Sequence, residues 1–174
     1  MPIKKNIYLI GPMGSGKTSV GLQLAKLTQA EFIDIDGEIE QRTGVSVAWI
    51  FEKEQEAGFR KRESAIIAEL TQQQNIILST GGGSILAETN RRHLNATGVV
   101  VYLTVAIKKQ LARTAHRKGV RPLIDTPDPE AKLRQLNRAR EPLYRSTADI
   151  IIDTNKKTTQ AVAKTILATI ENGH

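Results

Sequence analysis

Short apolar runs alternate with amphipathic stretches along the chain. The apolar run at 5–10 is followed by a stretch over 16–28 in which Val20, Leu24 and Leu27 share one helical face. The other runs that predict strands are at 31–35, 75–80, 99–103 and 150–153. Because buried strands that alternate with helices form parallel sheets covered on both faces, the pattern predicts an α/β domain.

Helices are predicted between and after these strands. Ser46 is a candidate N-cap for a helix that carries Trp49 and Phe51, whose rings are expected in the core or in a pocket wall. The other predicted helices are at 57–73, 107–115 and 158–170. Residues 114–130 show no apolar periodicity, and a loop of this length in a compact domain is usually functional or disordered.

The composition is that of one globular domain. The chain has 174 residues, of which 40% are hydrophobic and 25% are charged, so a single domain over 1–174 is predicted. Aromatic residues make up only 4%, which leaves too few rings for a platform that stacks single-stranded nucleic acid. The absence of cysteine excludes disulfides, thiolate zinc sites and cysteine nucleophiles, and it suits the cytosol.

Neither a membrane span nor a secretory signal is expected. The longest apolar runs, such as 98–103, are far shorter than the roughly 20 residues that a membrane-spanning helix needs. The run at 7–10 is also shorter than the apolar part of a secretory signal, so the start of the chain is expected to be mature sequence. A cytoplasmic protein without membrane partners is therefore predicted.

The positive charge is concentrated in one segment. The net charge is +7, and residues 108–145 hold eleven Lys and Arg against four acids, a surplus equal to the whole net charge. Seven of the eleven are Arg, the residue type suited to bidentate binding of phosphate and carboxylate. A solvated helical face or a surface that binds nucleic acid would also explain such a run.

A phosphate-binding loop connects the first predicted strand to the first predicted helix. Residues 11–18 match G-x-x-x-x-G-K-[ST] at every fixed position, in the strand–loop–helix context that the pattern requires. Backbone N–H groups and the helix dipole would surround an anion, while Lys17 would reach the β and γ phosphates and Thr18 would bind Mg²⁺. The motif predicts a nucleoside triphosphate but does not identify the phosphate acceptor.

Two carboxylates follow the second predicted strand. If Asp34 and Asp36 end that strand, alternation directs both side chains to the same side, at the edge of the sheet where ligands gather. One could support a metal ion and the other could accept a proton from an acceptor hydroxyl. The Asp36-Gly37 pair would equally suit the N-cap of a helix.

Three further features suggest an acceptor site, each with a structural alternative. The glycines at 81–83 follow the third predicted strand and would offer bare backbone to a ligand, or form a tight turn. Arg60 lies in a basic cluster and Arg140 in the basic segment, where both would equally suit solvated helices.

Together, these features resemble the motifs of shikimate kinases. In that family's order and approximate spacing, the chain has the 11–18 loop, Asp34-Ile35-Asp36, Gly58-Phe59-Arg60, Gly81-Gly82-Gly83, Arg121-Pro122-Leu123 and Arg140-Glu141-Pro142-Leu143-Tyr144. The resemblance covers essentially the whole chain. Its specificity comes from the combination, since the phosphate loop alone is shared by a large superfamily.

The resemblance implies transfer of the γ-phosphate of ATP, with Mg²⁺, to the 3-hydroxyl of shikimate in aromatic amino-acid (chorismate) biosynthesis. It implies the nucleoside-monophosphate-kinase type of P-loop fold, an α/β three-layer sandwich. The five-stranded parallel sheet would have the order 2-3-1-4-5, with helices on both faces. A substrate-binding region is expected at about 34–63 and a mobile lid at about 114–129. The expected partners are ATP and shikimate, without nucleic acid, and a monomer is expected.

The resemblance also implies roles for individual residues. The catalytic residues would be Lys17, Asp36 and Arg121, the last reaching the phosphates from the lid. The nucleotide would contact Gly14, Ser15, Gly16, Lys17, Thr18, Ser19, Arg113 and Arg121, with Arg113 against adenine. Shikimate would contact Asp36, Arg60, Gly82, Gly83 and Arg140, and the pocket would be lined or braced by Phe51, Phe59 and Glu63. Mg²⁺ would be held by Thr18 and, through water, by Asp34.

Two other functions stay open at the level of sequence. Another small-molecule kinase of the superfamily, of the gluconate or nucleoside-monophosphate type, would use the same loop. Arg60 and Arg140 favour an acidic, non-nucleotide acceptor. A protein that binds nucleic acid through the basic segment would lose affinity steeply with salt.

Overall fold

Five short apolar segments pair in parallel to form the central sheet. The structure is a computed structural model that describes residues 3, 5–115 and 124–173. Its strands are β1 (Asn6–Ile10), β2 (Glu31–Asp34), β3 (Ile76–Ser79), β4 (Gly98–Thr104) and β5 (Ile150–Asp153). They lie in the order β2-β3-β1-β4-β5, and all neighbours are parallel. The predicted sheet and its strand order are confirmed.

Seven α-helices belong to the described part of the chain. They are α1 (Lys17–Thr28), α2 (Ile35–Thr43), α3 (Val47–Leu70), α4 (Glu88–Thr97), α5 (Ile107–Thr114), α6 (Pro129–Thr147) and α7 (Thr159–Glu171). The sequence patterns did not predict α2, α4 or α6, because each of these helices buries few apolar side chains. None of the described helices is long and apolar enough to cross a bilayer.

The core has two layers, one on each face of the sheet. Ile7 and Leu9 of β1 pack on one face with Leu24 of α1, in a cluster that also includes side chains of α7. Tyr8 points to the opposite face and packs with Ile67 of α3. Since successive side chains of a strand alternate between faces, β1 contributes to both layers. The predicted three-layer arrangement, with helices on both faces, is confirmed.

A break divides α3 into two helical segments. Ser46 caps the first, accepting a hydrogen bond from the Trp49 backbone N–H at 3.1 Å. Gln55 has φ 65° and ψ 179°, so the second segment starts close to the predicted position. Phe51 packs on Phe59 with 4.9 Å between ring centroids. Trp49 is 44% exposed, so its expected placement in the core is wrong.

The carboxyl ends of the parallel strands meet at one edge of the sheet, where β1 leads into the 11–18 loop and β3 into the glycine run. The lid expected at about 114–129 includes residues 116–123, which lie outside the described residues. Arg121 therefore has no structural description.

Candidate active site

The phosphate loop turns tightly around its own lysine. Gly14 and Gly16 have φ of 77° and 95°, a conformation that glycine adopts without the strain of a side chain, and Gly16 is the N-cap of α1. The Nζ of Lys17 donates hydrogen bonds to the carbonyl oxygens of Gly11, at 2.6 Å, and Pro12, at 3.0 Å. The ammonium group is thus fixed beside the start of the helix, the position that the motif predicts.

The loop also contains a polar atom that fits an anion. Ser15 is fully buried, and no described atom hydrogen-bonds its Oγ. A buried hydroxyl without a partner is costly, and phosphate oxygens would accept its hydrogen bond. The positive end of α1 lies at the same place, so the residues present fit the triphosphate of a nucleotide.

Side chains of α5 and α6 brace the loop from outside. Nη1 of Arg113 donates to the Gly14 carbonyl at 2.6 Å, and Nε2 of Gln110 donates to the Met13 carbonyl at 2.9 Å. Oε1 of Gln110 accepts from Nδ2 of Asn137 at 2.7 Å. The amides of Gln110 and Asn137 belong to no motif and were not predicted as part of the site. The signal for Gln110 was a polar residue on the apolar face of α5, where it is fully buried.

The two carboxylates after β2 face the site for a reason other than strand alternation. The strand ends at Asp34, and Asp36 lies in the first turn of α2, so the expected alternation is wrong. Asp34 is the N-cap, and its Oδ2 accepts a hydrogen bond from the Gly37 N–H at 3.0 Å. The suggested cap at Asp36 is therefore two residues too late. Both carboxylates nevertheless line the same cavity.

This cavity has a volume of about 480 Å³ and lies at the carboxyl edge of the sheet. The predicted site residues that line it are Gly14, Gly16, Lys17, Thr18, Ser19, Asp34, Asp36, Gly82 and Arg113. Arg60 and Gly83 line a neighbouring pocket of about 440 Å³. The structure therefore brings most of the predicted nucleotide and acceptor residues to one place.

The glycine run passes between two guanidinium groups. A Cβ atom at Gly83 would overlap Nη2 of Arg60, and one at Gly82 would lie 3.3 Å from Nη1 of Arg140. Glycine is needed here because arginines of the chain itself approach the backbone. The solvated-helix alternatives for Arg60 and Arg140 are wrong, since both side chains are largely or fully withdrawn from solvent.

The two arginines differ in their partners. Arg60 is paired with Glu63 at 3.0 Å and Glu56 at 3.3 Å, and the other oxygen of Glu63 accepts from Ser84 Oγ at 2.8 Å. Arg140 is only 5% exposed, and no carboxylate of residues 5–115 or 124–173 forms an ion pair with it. A buried cation without an anion is unfavourable, so Arg140 is the group most in need of a negatively charged ligand.

The rest of the basic segment is mostly solvated. On the exposed face of α6, Arg134 pairs with Glu130 at 2.8 Å and Arg145 with Glu141 at 2.9 Å. The solvated-face interpretation is therefore correct for these side chains. It fails for Arg140, whose side chain is directed inward from the same helix.

The cavity can hold Mg²⁺ only with help from the nucleotide. Within the described ranges, no group of three or more His, Cys, Asp or Glu residues could bind a metal ion. Mg²⁺ commonly keeps several waters and uses one or two carboxylates together with substrate phosphates. The Thr18 hydroxyl and the Asp34 carboxylate on the cavity wall fit that mode of binding.

The parallel sheet, the phosphate loop and the adjoining acceptor cavity define a P-loop kinase of the nucleoside-monophosphate-kinase type. The family model for shikimate kinase matches residues 13–171. The chain belongs to the shikimate kinase family. Its activity is transfer of phosphate from ATP, with Mg²⁺, to a hydroxyl of shikimate.

Individual relatives agree with this assignment. The shikimate kinase of Pasteurella multocida is 49% identical over all of this chain and 99% of its own length. That of Methylococcus capsulatus is 51% identical over 97% of this chain and 93% of its own. A solved structure of shikimate kinase from Acinetobacter baumannii in complex with shikimate has a TM-score of 0.94 and 48% identity. It covers 97% of this chain and 93% of that one.

Proposed function

We propose that the chain phosphorylates the 3-hydroxyl of shikimate with the acceptor carboxylate held between Arg60 and Arg140. One observation carries this placement: the buried guanidinium of Arg140 has no carboxylate partner among the described residues and adjoins Gly82 on the cavity wall. The carboxylate of shikimate would supply the missing negative charge through paired hydrogen bonds. The acceptor hydroxyl would then face the phosphate loop.

The nucleotide side is assigned to the phosphate loop and α5. The backbone of residues 14–19 would surround the phosphates, and Lys17 would stabilise the charge that spreads over the transferring oxygens. Arg113, which already contacts the Gly14 carbonyl, is proposed to lie against adenine. Arg121 is proposed to reach the phosphates from the lid region at about 114–129 and to exclude water on closing.

Thr18 and Asp34 are proposed to hold Mg²⁺, Thr18 through its hydroxyl and Asp34 through a water molecule. The bound ion neutralises negative charge on the phosphate oxygens. The Asp34 carboxylate is suited to this task because its hydrogen bond with the Gly37 N–H fixes its direction.

The acceptor side is assigned to a substrate-binding region at about 34–63 together with the glycine run and α6. Asp36 would contact the reacting hydroxyl and orient it or take its proton. A loose transition state demands little proton transfer, so orientation is the larger part of this role. The carboxylate would be held by Arg60, Gly82, Gly83 and Arg140, and the pocket would be lined or braced by Phe51, Phe59 and Glu63.

We also propose a cytoplasmic, monomeric enzyme. The cysteine-free sequence is compatible with a reducing compartment. Cell fractionation and sedimentation of the purified protein test the two parts of this statement. Recovery in a secreted or membrane fraction, or a sedimenting dimer at assay concentration, would contradict them.

The assignment is tested by ADP release with Mg²⁺ and ATP over a panel of acceptors. Shikimate should give turnover far above the rate with water, while gluconate and nucleoside monophosphates should not. Arg140→Met should abolish most of this preference, and Arg134→Met, which alters an exposed arginine of the same helix, should leave it intact. Equal rates with shikimate and water would refute the assignment.

A further inference from the structure

Tyr144 lies where the glycine run meets α6, and the proposed function gives it no role. Its side chain is 1% exposed, and its ring stacks on Tyr102 with 5.0 Å between centroids. Its hydroxyl donates a hydrogen bond to the carbonyl oxygen of Gly82. The C-terminal part of α6 therefore contacts the glycine run directly.

The orientation of one peptide group depends on this hydrogen bond. The carbonyls on either side accept from backbone donors, Gly81 from Ser84 N–H at 3.1 Å and Gly83 from Leu86 N–H at 3.1 Å. In the described part of the chain, the donor to the Gly82 carbonyl is the Tyr144 hydroxyl. Loss of that hydroxyl would leave the carbonyl free to rotate.

Fixing this carbonyl also fixes an N–H group that a ligand can use. The peptide between Gly82 and Gly83 is planar and trans, so the Gly83 N–H points opposite to the Gly82 carbonyl and away from Tyr144. No described residue accepts a hydrogen bond from the Gly83 N–H. The hydroxyl thus sets the direction of a donor on Gly83, a residue that lines the same pocket as Arg60.

Arg140 reaches the same point from the same helix. It lies four residues before Tyr144, so both side chains share one helical face. A Cβ atom at Gly82 would lie 3.3 Å from Nη1 of Arg140 and 3.7 Å from Oη of Tyr144. Burial raises the pKa of the Tyr144 hydroxyl well above its ordinary value, although the charges of Arg140 and Arg60 act in the opposite direction. The hydroxyl is therefore a protonated donor at neutral pH.

We infer that Tyr144 is a positioning residue for acceptor recognition. Its hydroxyl fixes the Gly82–Gly83 peptide against Arg140, so that the Gly83 N–H and the Arg140 guanidinium meet the same carboxylate group. The inference rests on the proposed placement of the acceptor and adds the residue that makes the two donors act together.

The first test is Tyr144→Phe, which keeps the buried ring and removes only the hydroxyl. The KM for shikimate should rise about tenfold, the size expected for one misdirected hydrogen-bonded contact, while kcat and the KM for ATP stay within about twofold. Tyr102→Phe is the matched control, because it removes a neighbouring hydroxyl that makes no hydrogen bond to the glycine run. It should change neither KM.

A second control separates positioning from simple loss of stability. The Tyr8 hydroxyl is buried and hydrogen-bonded to Thr97 Oγ1 at 2.7 Å and Asn6 Nδ2 at 3.0 Å, away from the cavity. Tyr8→Phe should lower the thermal midpoint but leave the shikimate KM unchanged. If Tyr144→Phe raises the KM for both substrates to the extent that it lowers the thermal midpoint, the inference would be overturned.

The most specific readout is discrimination between shikimate and its carboxamide. The ratio of kcat/KM for the two acceptors should fall about fivefold in Tyr144→Phe and stay unchanged in Tyr102→Phe, since only the former loosens the carboxylate donors. An unchanged ratio together with a normal shikimate KM in Tyr144→Phe would refute the positioning role. Turnover of shikimate by the unmodified chain tests the proposed function separately.

Gly82→Ala approaches the same contact from the loop and keeps the inference testable if Tyr144→Phe does not fold. Its Cβ would press on Nη1 of Arg140, so the shikimate KM should rise. If Tyr144→Phe does fold, the combined increase in the double variant should be smaller than the product of the single increases, because both changes disturb one contact. A normal shikimate KM in Gly82→Ala, or independent effects in the double variant, would contradict the inference.

Discussion

The phosphate loop and the acceptor pocket are adjacent, but they are built in different ways. The loop is one continuous stretch, 11–18, and its cation Lys17 is held by carbonyl groups of that same stretch. The acceptor pocket is proposed to combine side chains of α2, α3 and α6 with the backbone of the glycine run, and these segments are far apart in sequence. A contiguous site depends on one backbone conformation, whereas a dispersed site depends on how distant side chains are paired and buried.

The two arginines of the dispersed site show how pairing and burial differ between its side chains. Arg60 shares its charge with Glu63 and Glu56, whereas Arg140 has no acidic partner among the residues described. Both guanidinium groups touch the glycine run, but only Arg140 carries an uncompensated charge before a ligand arrives. We therefore expect Arg140 to contribute most to acceptor binding and least to folding.

The largest effect is expected in the phosphate loop. Lys17→Ala should lower kcat by at least about 10² to 10³, by analogy with the loss of one preorganised charge-stabilising donor. Lys26→Ala, which removes an exposed lysine from the same helix, should leave turnover unchanged. Near-normal turnover of Lys17→Ala in an ADP-release assay would remove this residue from the mechanism.

Asp36→Asn should lower kcat about 10²-fold with little change in the KM for ATP. The carboxylate lines the cavity from the first turn of α2, where we propose that it contacts the acceptor hydroxyl. Steady-state kinetics with each substrate varied in turn measure the two parameters. A defect mainly in ATP binding would place Asp36 on the nucleotide side and weaken the contrast between the two regions.

Substitution of the two arginines should raise the shikimate KM by different amounts. Arg140→Met should raise the shikimate KM about 100-fold and Arg60→Met about tenfold, because the charge of Arg60 is already shared with its acidic partners. Arg134→Met is the exposed control on α6. Equal increases in the two site variants would show that pairing with Glu63 does not reduce the contribution of Arg60.

The same two variants should rank in the opposite order in stability, with the larger loss in Arg60→Met. Arg60→Met leaves the fully buried Glu63 without its cation and should cost about 2 to 4 kcal/mol in the free energy of unfolding. Arg140→Met removes an uncompensated buried charge, so the free energy of unfolding should hold or rise by up to about 2 kcal/mol. Denaturant unfolding without ligands measures both, and destabilisation by Arg140→Met would contradict the assigned difference.

The smallest effect concerns the break in α3. Glu54 precedes Gln55 and Arg62 follows it, and the hydrogen bond from Arg62 holds the pKa of Glu54 below its ordinary 4.5. A carboxylate with a lowered pKa stabilises the fold above that value and loses this contribution as the pH falls.

Glu54→Gln should therefore lower the thermal midpoint slightly near pH 7, and this difference should shrink as the pH falls below 4.5. Glu52→Gln, which alters an acid with only a loose contact to Lys53 at 3.7 Å, is the control. A difference between Glu54→Gln and the unmodified chain that does not shrink as the pH falls would show that the ion pair is not the cause.

The fold was predictable where apolar residues repeat regularly. All five strands lie within about two residues of their predicted bounds, since each contains a short apolar run in the sequence. Helix α2 was missed because it buries only Ile35 and Ile39. Helices α4 and α6 were missed because their buried positions include polar or basic side chains, Asn90 in α4 and Arg140 in α6. A period based on apolar residues does not detect a helix that buries a cation.

For the proposed acceptor site, the sequence suggested which residues come together but not their geometry. Asp34 and Asp36 were expected to share one side of a strand, and instead a helix begins between them. Tyr144 belonged to a recognisable motif, yet its contact with Gly82 depends on how α6 packs against the glycine run. Gln110 and Asn137 belonged to no motif.

By itself, the sequence determined the strands and the phosphate loop, because both follow from short-range patterns of side chains and glycines. Only the tertiary structure decided that Arg60 is neutralised and Arg140 is not, and that one tyrosine sets the direction of the peptide between them. Pairing and burial are set by contacts between segments far apart in the chain, and no local period encodes such contacts.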